Sequence, residues 1–247
     1  MIMTAAWGIL IPFLGTALGA AWVFFMKKAM RPGLQQALNG LAAGIMVAAS
    51  FFSLLLPALD QAGIAPTVIG FLAGMLLLHG IDGALTRIKR RDRHLSKTEK
   101  LLLAVTLHNV PEGMAVGVAY AGWLFGRQDV TLTAAFALAL GIALQNIPEG
   151  AIVSMPLRAE GMPTGRAFWC GVLSGAVEPV GAVLILAAAG VFAPVLPWLL
   201  AFAAGAMFSV VVEELIPEME EQGAKNWGSL CFALGFVVMM ALDVALG

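Results

Sequence analysis

Two copies of one short polar motif interrupt long apolar stretches of this sequence. Residues 108–113 are HNVPEG and residues 145–150 are QNIPEG. On an α-helix, which turns by about 100° per residue, the polar side chains of each motif share one face. These side chains are His108, Asn109 and Glu112 in the first motif, and Gln145, Asn146 and Glu149 in the second. If the two helices face each other, two glutamates meet, and close carboxylates repel unless a proton or a cation lies between them. The motifs therefore predict a cation site.

The kinds of side chain in the motifs narrow the choice of cation. One imidazole with carboxylates and amide oxygens suits zinc, ferrous iron, manganese or cadmium. The imidazole argues against magnesium and calcium, which prefer shells made of oxygen alone. Copper(I) prefers thiolates, but Cys170 and Cys231 lie within apolar segments and have no CxxC spacing. We expect both cysteines to pack in the core rather than to form a disulfide or to bind metal.

Each motif also contains a proline and ends in a glycine, and both bear on helix geometry. Pro111 and Pro148 lack a backbone N–H and crowd the preceding turn, which predicts a kink beside the candidate ligands. Carbonyls freed by a kink can bind water or metal only where protein or water lines the site. Gly113 and Gly150 permit the close approach of a neighbouring helix. The motifs thus predict a polar site at a close helix contact.

The elements that must hold these motifs are membrane-spanning helices. Of the 247 residues, 60% are hydrophobic and 12% are charged, which is about half the charged share of a soluble domain. The net charge of −1 gives no reason to expect nucleic-acid binding. About 20 apolar residues in a helix cross a bilayer core, and we expect one transmembrane domain, residues 1–247, with eight such segments. The segments are 5–26, 35–59, 66–86, 100–124, 130–157, 164–191, 194–217 and 226–246.

Positive charges predict the orientation of these segments. Lys27, Lys28 and Arg31 follow the first segment and no positive charge precedes it, which differs from a signal peptide and places the N-terminus outside. With eight spans, both termini are then extracytoplasmic. The loops predicted to face the cytoplasm lie near 27–34, 87–99, 158–166 and 218–225. Of the 14 lysines and arginines, 13 lie in or beside these loops, and Arg127 is the exception. This distribution follows the positive-inside rule.

Two parts of the chain resemble each other at a constant offset of 161 residues. FLAGMLLLHGIDGAL at 71–85 shares Phe, Gly, Asp, Ala and Leu with FALGFVVMMALDVAL at 232–246, and AAGIM at 42–46 matches AAGAM at 203–207. The offset is five segments, an odd number, so related segments cross the membrane in opposite directions. Inverted repeats of this kind are typical of secondary transporters with a midplane site. We predict an all-α membrane protein in which helices 1–3 and 6–8 repeat around a central pair, 4 and 5, although the first and sixth segments are too dissimilar to align.

At these residues the chain resembles the ZIP (Zrt-/Irt-like) family of divalent metal transporters. HNVPEG and QNIPEG resemble the family's paired signature in helices four and five. SGAVEP at 174–179 resembles an element of helix six whose glutamate is here Glu178. The resemblance covers essentially the whole chain, and Gln145 in place of a histidine is similar to the GufA-like bacterial branch. It implies a transporter in the bacterial inner membrane that moves zinc, cadmium, iron(II) or manganese into the cytoplasm by alternating access, with the metal as substrate and no bound cofactor.

The resemblance further implies a binuclear metal site halfway across the membrane. One metal position would use His108, Glu112, Gln145 and Glu149. The other would use Asn109, Asn146 and Glu178 together with the shared glutamates. Other residues match the family's transport pathway: Met46 and Ser53 on helix two, Glu213 and Glu214 on helix seven, and, more weakly, His79 and Asp82 on helix three. Packing, or a polar helix end, is the alternative interpretation of these six residues.

The chain also departs from the family pattern. The loop between helices three and four is often rich in histidine in the family, but 87–99 contains only His94 among lysines and arginines. We expect this loop to fix the topology and to contact anionic lipid rather than to sense metal. Asn146 stands where some relatives have an acid, which lowers the negative charge of the second metal position. A homodimer is implied by family analogy alone.

Two other functions stay open at this point. A membrane-embedded metal-dependent hydrolase would need an open metal position, a general base and a path for the substrate. The sequence has no HExxH motif and no serine or cysteine with a nearby base. A passive metal channel would use the same ligands, and the sequence does not separate it from a carrier. We therefore expect a transporter rather than an enzyme.

Overall fold

The computed structural model describes residues 1–25, 30–91, 97–126, 130–191, 195–220 and 227–246. Every regular element within these ranges is helical, and the helices form eight long rods that we label α1 to α8. Their bounds are Ile2–Ala20 (α1), Pro32–Ala48 with Leu56–Ala62 (α2), Ile64–Arg91 (α3), Lys97–Leu124 (α4), Leu132–Ala159 (α5), Thr164–Gly175 with Val177–Val191 (α6), Leu196–Val210 with Ile216–Glu220 (α7) and Trp227–Leu246 (α8).

The eight rods coincide with the eight segments expected from hydropathy, although the majority of helix ends are shifted by a few residues. Within the described ranges, seven of them are long and apolar enough to cross a membrane. The rod outside this set is α4, which carries the first polar motif near its middle. The prediction of an all-α membrane protein is therefore confirmed. Hydropathy alone predicts the sixth segment as one helix, but the structure breaks it at Ala176.

Two helices contain a stretch of π-helix at equivalent places. The π-helical turns are Ala49–Leu55 in α2 and Val211–Leu215 in α7. They overlap when the chain is shifted by the same 161 residues that align the two halves of the sequence. π-Helical turns are rare and are frequent at functional sites. The internal repeat is thus present in the backbone as well as in the residue types.

Helix packing follows the same repeat. The most extensive contacts join α2 with α8, α1 with α5, α3 with α7 and α4 with α6. The repeat relates α1, α2 and α3 to α6, α7 and α8, and α4 to α5. Under this exchange the α2–α8 contact becomes the α7–α3 contact, and the α1–α5 contact becomes the α6–α4 contact. Glycines mark equivalent contacts, because a β-carbon at Gly44 would overlap the carbonyl oxygen of Phe232, and one at Gly205 would overlap that of Phe71. The inverted repeat is therefore confirmed, and it includes the α1 and α6 pair that the sequence could not align.

Burial is greatest at the centre of the bundle. α5 is buried along most of its length, whereas α3 and α8 turn apolar side chains such as Leu76 and Val244 outward. Polar residues of α4, α5 and α6 are buried instead. Both cysteines are free and half-buried, and Cys170 packs against a small cluster that includes Val153. An apolar exterior around a polar centre is the arrangement expected of helices surrounded by lipid.

Candidate metal site

A hydrogen bond joins the two polar motifs. Gln145 Nε2 on α5 donates to Glu112 Oε1 on α4 over 2.7 Å, and both side chains are fully buried. The backbone remains helical past Pro111 and Pro148, so each motif keeps its polar residues on one face. The two faces predicted from the sequence therefore meet in the interior of the bundle.

The two motif asparagines make equivalent contacts to opposite helices. Asn109 Nδ2 donates to the carbonyl oxygen of Ser174 on α6 over 3.1 Å. Asn146 Nδ2 lies 3.4 Å from the carbonyl oxygen of Pro12 on α1. Both amides are fully buried. Each asparagine thus uses its N–H₂ group to hold a neighbouring helix, and its side-chain oxygen is left for another partner.

The motif glycines bring those same helices close to the site. A β-carbon at Gly113 would overlap the backbone carbonyl of Glu178, and one at Gly150 would overlap that of Thr16. Both contacts are backbone to backbone, so no side-chain movement could make room for a larger residue. The glycines are therefore the reason that α6 and α1 can approach the acidic residues of α4 and α5.

The break in α6 positions the third acidic residue. After Ala176 the helix restarts at Val177, and Glu178 lies in its first turn. A carboxylate there is favoured by the positive end of the helix dipole. Glu178 is fully buried, and the Thr16 hydroxyl donates to its Oε1 over 2.7 Å. Its carboxyl group lies near those of Glu112 and Glu149.

Glu149 reaches a cavity. A cavity of about 40 Å³ is lined by Asn39, Glu149, Glu214 and Glu218, among others. Asn39 Nδ2 donates to Glu218 Oε2 over 2.9 Å at its edge. These residues lie toward the end of the bundle that the charge pattern assigns to the cytoplasm. The cavity therefore places Glu149 beside two acidic residues, Glu214 and Glu218, from that end of the bundle.

Several oxygen atoms of the candidate site are buried and have no hydrogen-bond partner in the part of the chain that the structure describes. They are Asn109 Oδ1, Glu112 Oε2, Gln145 Oε1, Asn146 Oδ1 and Glu178 Oε2. Buried acceptors are normally satisfied, so a cluster of unsatisfied ones indicates a missing partner. Carboxylate and amide oxygens suit a divalent cation. Among the side chains that the structure describes, no three from His, Cys, Asp and Glu lie close enough to hold one ion, so the donor set depends on the amides. The side chain of His108 lies outside the described part of the chain.

Met46 and Ser53, the two further candidates on α2, differ in their surroundings. Met46 is fully buried in the main core. Ser53 lies in the π-helical part of α2 and donates to Asp243 Oδ1 of α8 over 2.5 Å. Both partners line a cavity of about 160 Å³ at the end of the bundle opposite Glu218. The structure thus brings Ser53 to a separate polar pocket rather than to the carboxylate cluster.

The candidates on α3 and α7 form a peripheral pair. His79 Nδ1 lies 2.7 Å from Glu213 Oε1, and the histidine side chain is 70% exposed. The neighbouring Glu214 lines the acidic cavity. The side chain of Asp82 lies outside the described part of the chain. His79 and Glu213 are therefore together, but at the surface of the bundle.

Sequence reasoning missed four polar residues that the structure places at these contacts. They are Thr16, Asn39, Glu218 and Asp243. Asp243 carried a usable signal, because it is an acid within an apolar segment. Thr16 carried little, since a lone threonine in an apolar helix usually bonds its own backbone. Its partner is 162 residues away in sequence, so only the tertiary structure identifies it.

A multi-pass helical bundle with an acidic and amide-rich centre defines the class as a helical membrane protein with a polar interior. Comparison with known proteins gives the family. The ZIP Zinc transporter family profile matches residues 98–243, which is more than half of the chain. The chain belongs to the ZIP family, so the resemblance predicted from the motifs is confirmed.

Relatives from several organisms support this assignment over nearly the full length. The chain is 33% identical to Zinc transporter ZIP11 of Xenopus tropicalis, over 100% of this chain and 98% of the relative. It is 38% identical to Zinc transporter ZIPB of Bordetella bronchiseptica, over 95% and 79% of the two chains. It is 34% identical to Zinc transporter GufA of Myxococcus xanthus, over 94% of each. These relatives are named as transporters and not as enzymes, which removes the support for a hydrolase.

Proposed function

We propose that this protein carries divalent transition metal, zinc above all, into the cytoplasm through a buried binuclear site by alternating access. Cadmium, iron(II) and manganese are the further substrates that its ligand types suit. Metal transport itself is the function that membership of the ZIP family supports. The observation that carries the proposal is the cluster of unsatisfied buried oxygens around Glu112 and Glu178.

The electrostatic balance of the centre supports a cation as substrate. Three glutamates from three helices lie close enough for their charges to interact. The sequence has no lysine or arginine within 101–126 or 132–157 to neutralise them. An ionised carboxylate near the middle of a membrane costs about 2.5 kcal/mol or more unless it is paired. A divalent cation would neutralise two of these charges at once.

The donor set supports two metal positions. Glu112, Gln145 and Glu149 lie on the facing sides of α4 and α5, together with His108 by sequence. Asn109, Asn146 and Glu178 lie next to them, where α6 and α1 approach. We assign the first group to one metal ion and the second group to another, with the glutamates of the motifs shared between them.

The cavities support alternating access rather than a channel. The acidic cavity of about 40 Å³ includes Glu149. The cavity of about 160 Å³ at the opposite end, which holds Ser53 and Asp243, includes none of the six proposed ligands whose side chains the structure describes. Between them lie buried residues such as Met46 and Ile142. We infer a state in which the metal site communicates with the cytoplasmic side, and Ser53 and Asp243 mark the opposite approach.

The first test is metal uptake into liposomes that contain the purified protein, with zinc, cadmium, iron(II) and manganese assayed in parallel. Glu112→Ala and Glu149→Ala each remove a proposed ligand, so we expect saturable zinc uptake to fall at least about tenfold. Glu160→Ala, which removes an exposed acid just beyond α5, should keep wild-type uptake. Folding of each variant is checked by size-exclusion chromatography and circular dichroism.

Normal zinc uptake by both folded glutamate variants would contradict the central site. Uptake that does not saturate and changes little with temperature would favour a passive channel over a carrier. No uptake of any of the four metals, in protein shown to be inserted, would contradict transport.

The setting of the transporter follows from the same reasoning. We propose that the chain is one transmembrane domain in the bacterial inner membrane, with both termini extracytoplasmic. The ZIP resemblance supports a homodimer. The basic segment 87–99, which is near the predicted cytoplasmic surface, has the charge to contact anionic lipid.

A further inference from the structure

Thr16 is the one buried polar side chain of α1, a helix that the structure describes throughout. It is fully buried, and its hydroxyl donates to Glu178 Oε1 over 2.7 Å. A threonine in the middle of a helix commonly bonds a carbonyl of its own preceding turn. Here the hydroxyl instead crosses to α6 and meets a carboxylate. α1 therefore contacts the acidic cluster without contributing a carboxylate of its own.

The inverted repeat shows which position Thr16 occupies. Asn146 points to the carbonyl of Pro12 on α1, and Asn109 donates to the carbonyl of Ser174 on α6. Thr16 follows Pro12 by four residues, and Glu178 follows Ser174 by four. Gly150 and Gly113 pack against the carbonyls of Thr16 and Glu178 in the same way. Thr16 is thus the counterpart of Glu178 in the other half of the molecule.

The two equivalent positions carry different side chains, a threonine on α1 and a glutamate on α6, and this difference has a chemical consequence. Two facing glutamates at these positions would repel, whereas a hydroxyl and a carboxylate form a charge-assisted hydrogen bond. The bond occupies Oε1 of Glu178 and leaves Oε2 as a buried atom with no partner among the described residues. Gly175 supplies the space, since a β-carbon there would lie 2.8 Å from both Glu178 Oε1 and Thr16 Cβ. The bond therefore fixes Oε1 of the glutamate and leaves Oε2 available to a further partner.

We propose that Thr16 is a positioning residue that holds Glu178 with its free oxygen toward the metal site, and so sets the affinity of the metal position that uses Glu178. This inference rests on the proposed metal site. It assigns a role to a helix on which no metal ligand is proposed. The substrate concerned is a divalent transition-metal ion such as zinc.

The test is an equilibrium zinc titration of the purified full-length protein against a chromophoric chelator. Thr16→Val keeps the side-chain shape and removes the donor, so we expect zinc to bind the Glu178 position about tenfold more weakly. Thr16→Ser keeps the donor and should stay within about twofold of wild type. Thr67→Val is the matched control, because Thr67 is also buried in a helix but donates to the carbonyl of Gly63 at the start of α3.

A double-mutant comparison separates positioning from general stability. If Thr16 acts through Glu178, Thr16→Val should have no further effect on zinc affinity in a Glu178→Gln background. Wild-type affinity in Thr16→Val, or an undiminished effect of Thr16→Val in the Glu178→Gln protein, would overturn the inference. If Thr16→Val does not fold, Thr16→Ala and Thr16→Cys are measured in its place and judged in the same way.

The uptake assay distinguishes this inference from the proposed function. If Glu112→Ala loses zinc uptake but Thr16→Val keeps its zinc affinity, the role proposed for Thr16 is contradicted. The proposed metal site is still supported in that case. Normal uptake in both Glu112→Ala and Glu149→Ala would instead remove the metal site on which the role of Thr16 depends.

Discussion

At the scale of single residues, the centre of this protein pairs two of its buried acids with neutral donors. Glu112 accepts from the Gln145 amide and Glu178 accepts from the Thr16 hydroxyl. A buried ion pair with lysine or arginine would satisfy the carboxylates permanently and would compete with any metal. Neutral donors orient the carboxylates while leaving the negative charge uncompensated. That combination suits a site that must bind a cation and later release it.

His108 is the residue expected to control which metal is preferred. Its imidazole would be the one nitrogen ligand in a shell of oxygens, and nitrogen ligands favour zinc over manganese. We expect His108→Ala to lower the ratio of zinc to manganese uptake by about tenfold. Parallel uptake assays in liposomes measure this ratio. His94→Ala, which removes a histidine of the 87–99 segment, is the control, and an unaltered ratio in His108→Ala would mean that the imidazole is structural.

At the scale of helices, irregular backbone occurs where the site needs it. α6 breaks at Ala176 and restarts with Glu178 in its first turn. α2 and α7 widen into π-helix near Ser53 and Glu213. α4 and α5 are continuous through Pro111 and Pro148 and have glycines where other helices cross. The carboxylates are thus positioned by interruptions in outer helices and by close contacts along the central ones.

The close contacts predict a strong dependence on glycine. Gly113→Ala and Gly150→Ala would each push a β-carbon into a backbone carbonyl, so we expect a loss of about 1–3 kcal/mol in stability, because the helices must separate. Zinc affinity should fall as well, since α6 or α1 would move away from the site. Thermal unfolding in detergent and zinc titration measure the two effects.

Gly165→Ala is the matched control for these variants. Gly165 lies in the first turn of α6, and a β-carbon added there would meet no atom within 4 Å. Alanine should therefore leave stability unaltered or raise it by about 0.5–1 kcal/mol. Equal unfolding temperatures for Gly113→Ala and Gly165→Ala would show that the contact at Gly113 is not tight.

At the scale of the whole molecule, the inverted repeat gives the two ends of the bundle a similar helix arrangement, but each end has a different cavity. The end with Asn39 and Glu218 carries the acidic cavity that reaches Glu149. The other end carries the pocket of Ser53 and Asp243. A fold whose halves are related by inversion can open toward either side by exchanging their arrangements. The difference between the two cavities is what such an exchange would reverse.

Cysteine labelling at the two ends of α5 tests the orientation of the molecule. In a protein without Cys170 and Cys231, Thr133→Cys and Glu160→Cys each place an exposed thiol at one end of the same helix. If the positive charges face the cytoplasm, a membrane-impermeant maleimide should label Thr133→Cys in intact cells. It should label Glu160→Cys only after permeabilisation. The reverse pattern would invert the topology and the proposed direction of transport.

Much of this protein was predictable from its sequence because the relevant signals are local. A run of apolar residues long enough to cross a bilayer identifies a spanning helix whatever its neighbours are. Buried polar groups are so unfavourable in lipid that the two motifs, with Glu112 and Glu149, identify the candidate site by their presence alone. The repeat was visible in α2, α3, α7 and α8 because both halves retain the same residue types at equivalent contacts.

The tertiary structure decided which helices pack together and which side chains hydrogen-bond to the buried carboxylates. The relation of α1 to α6 lies in equivalent contacts and not in shared residues, since Thr16 replaces a carboxylate with a hydroxyl. The partners of Glu112 and Glu178 come from other helices, one of them 162 residues away. Hydrogen bonding depends on distance and direction in space, which residue types alone do not specify. Hydropathy and motif therefore determined the class of protein and the place of its candidate site, and helix packing determined which neutral groups hold its carboxylates.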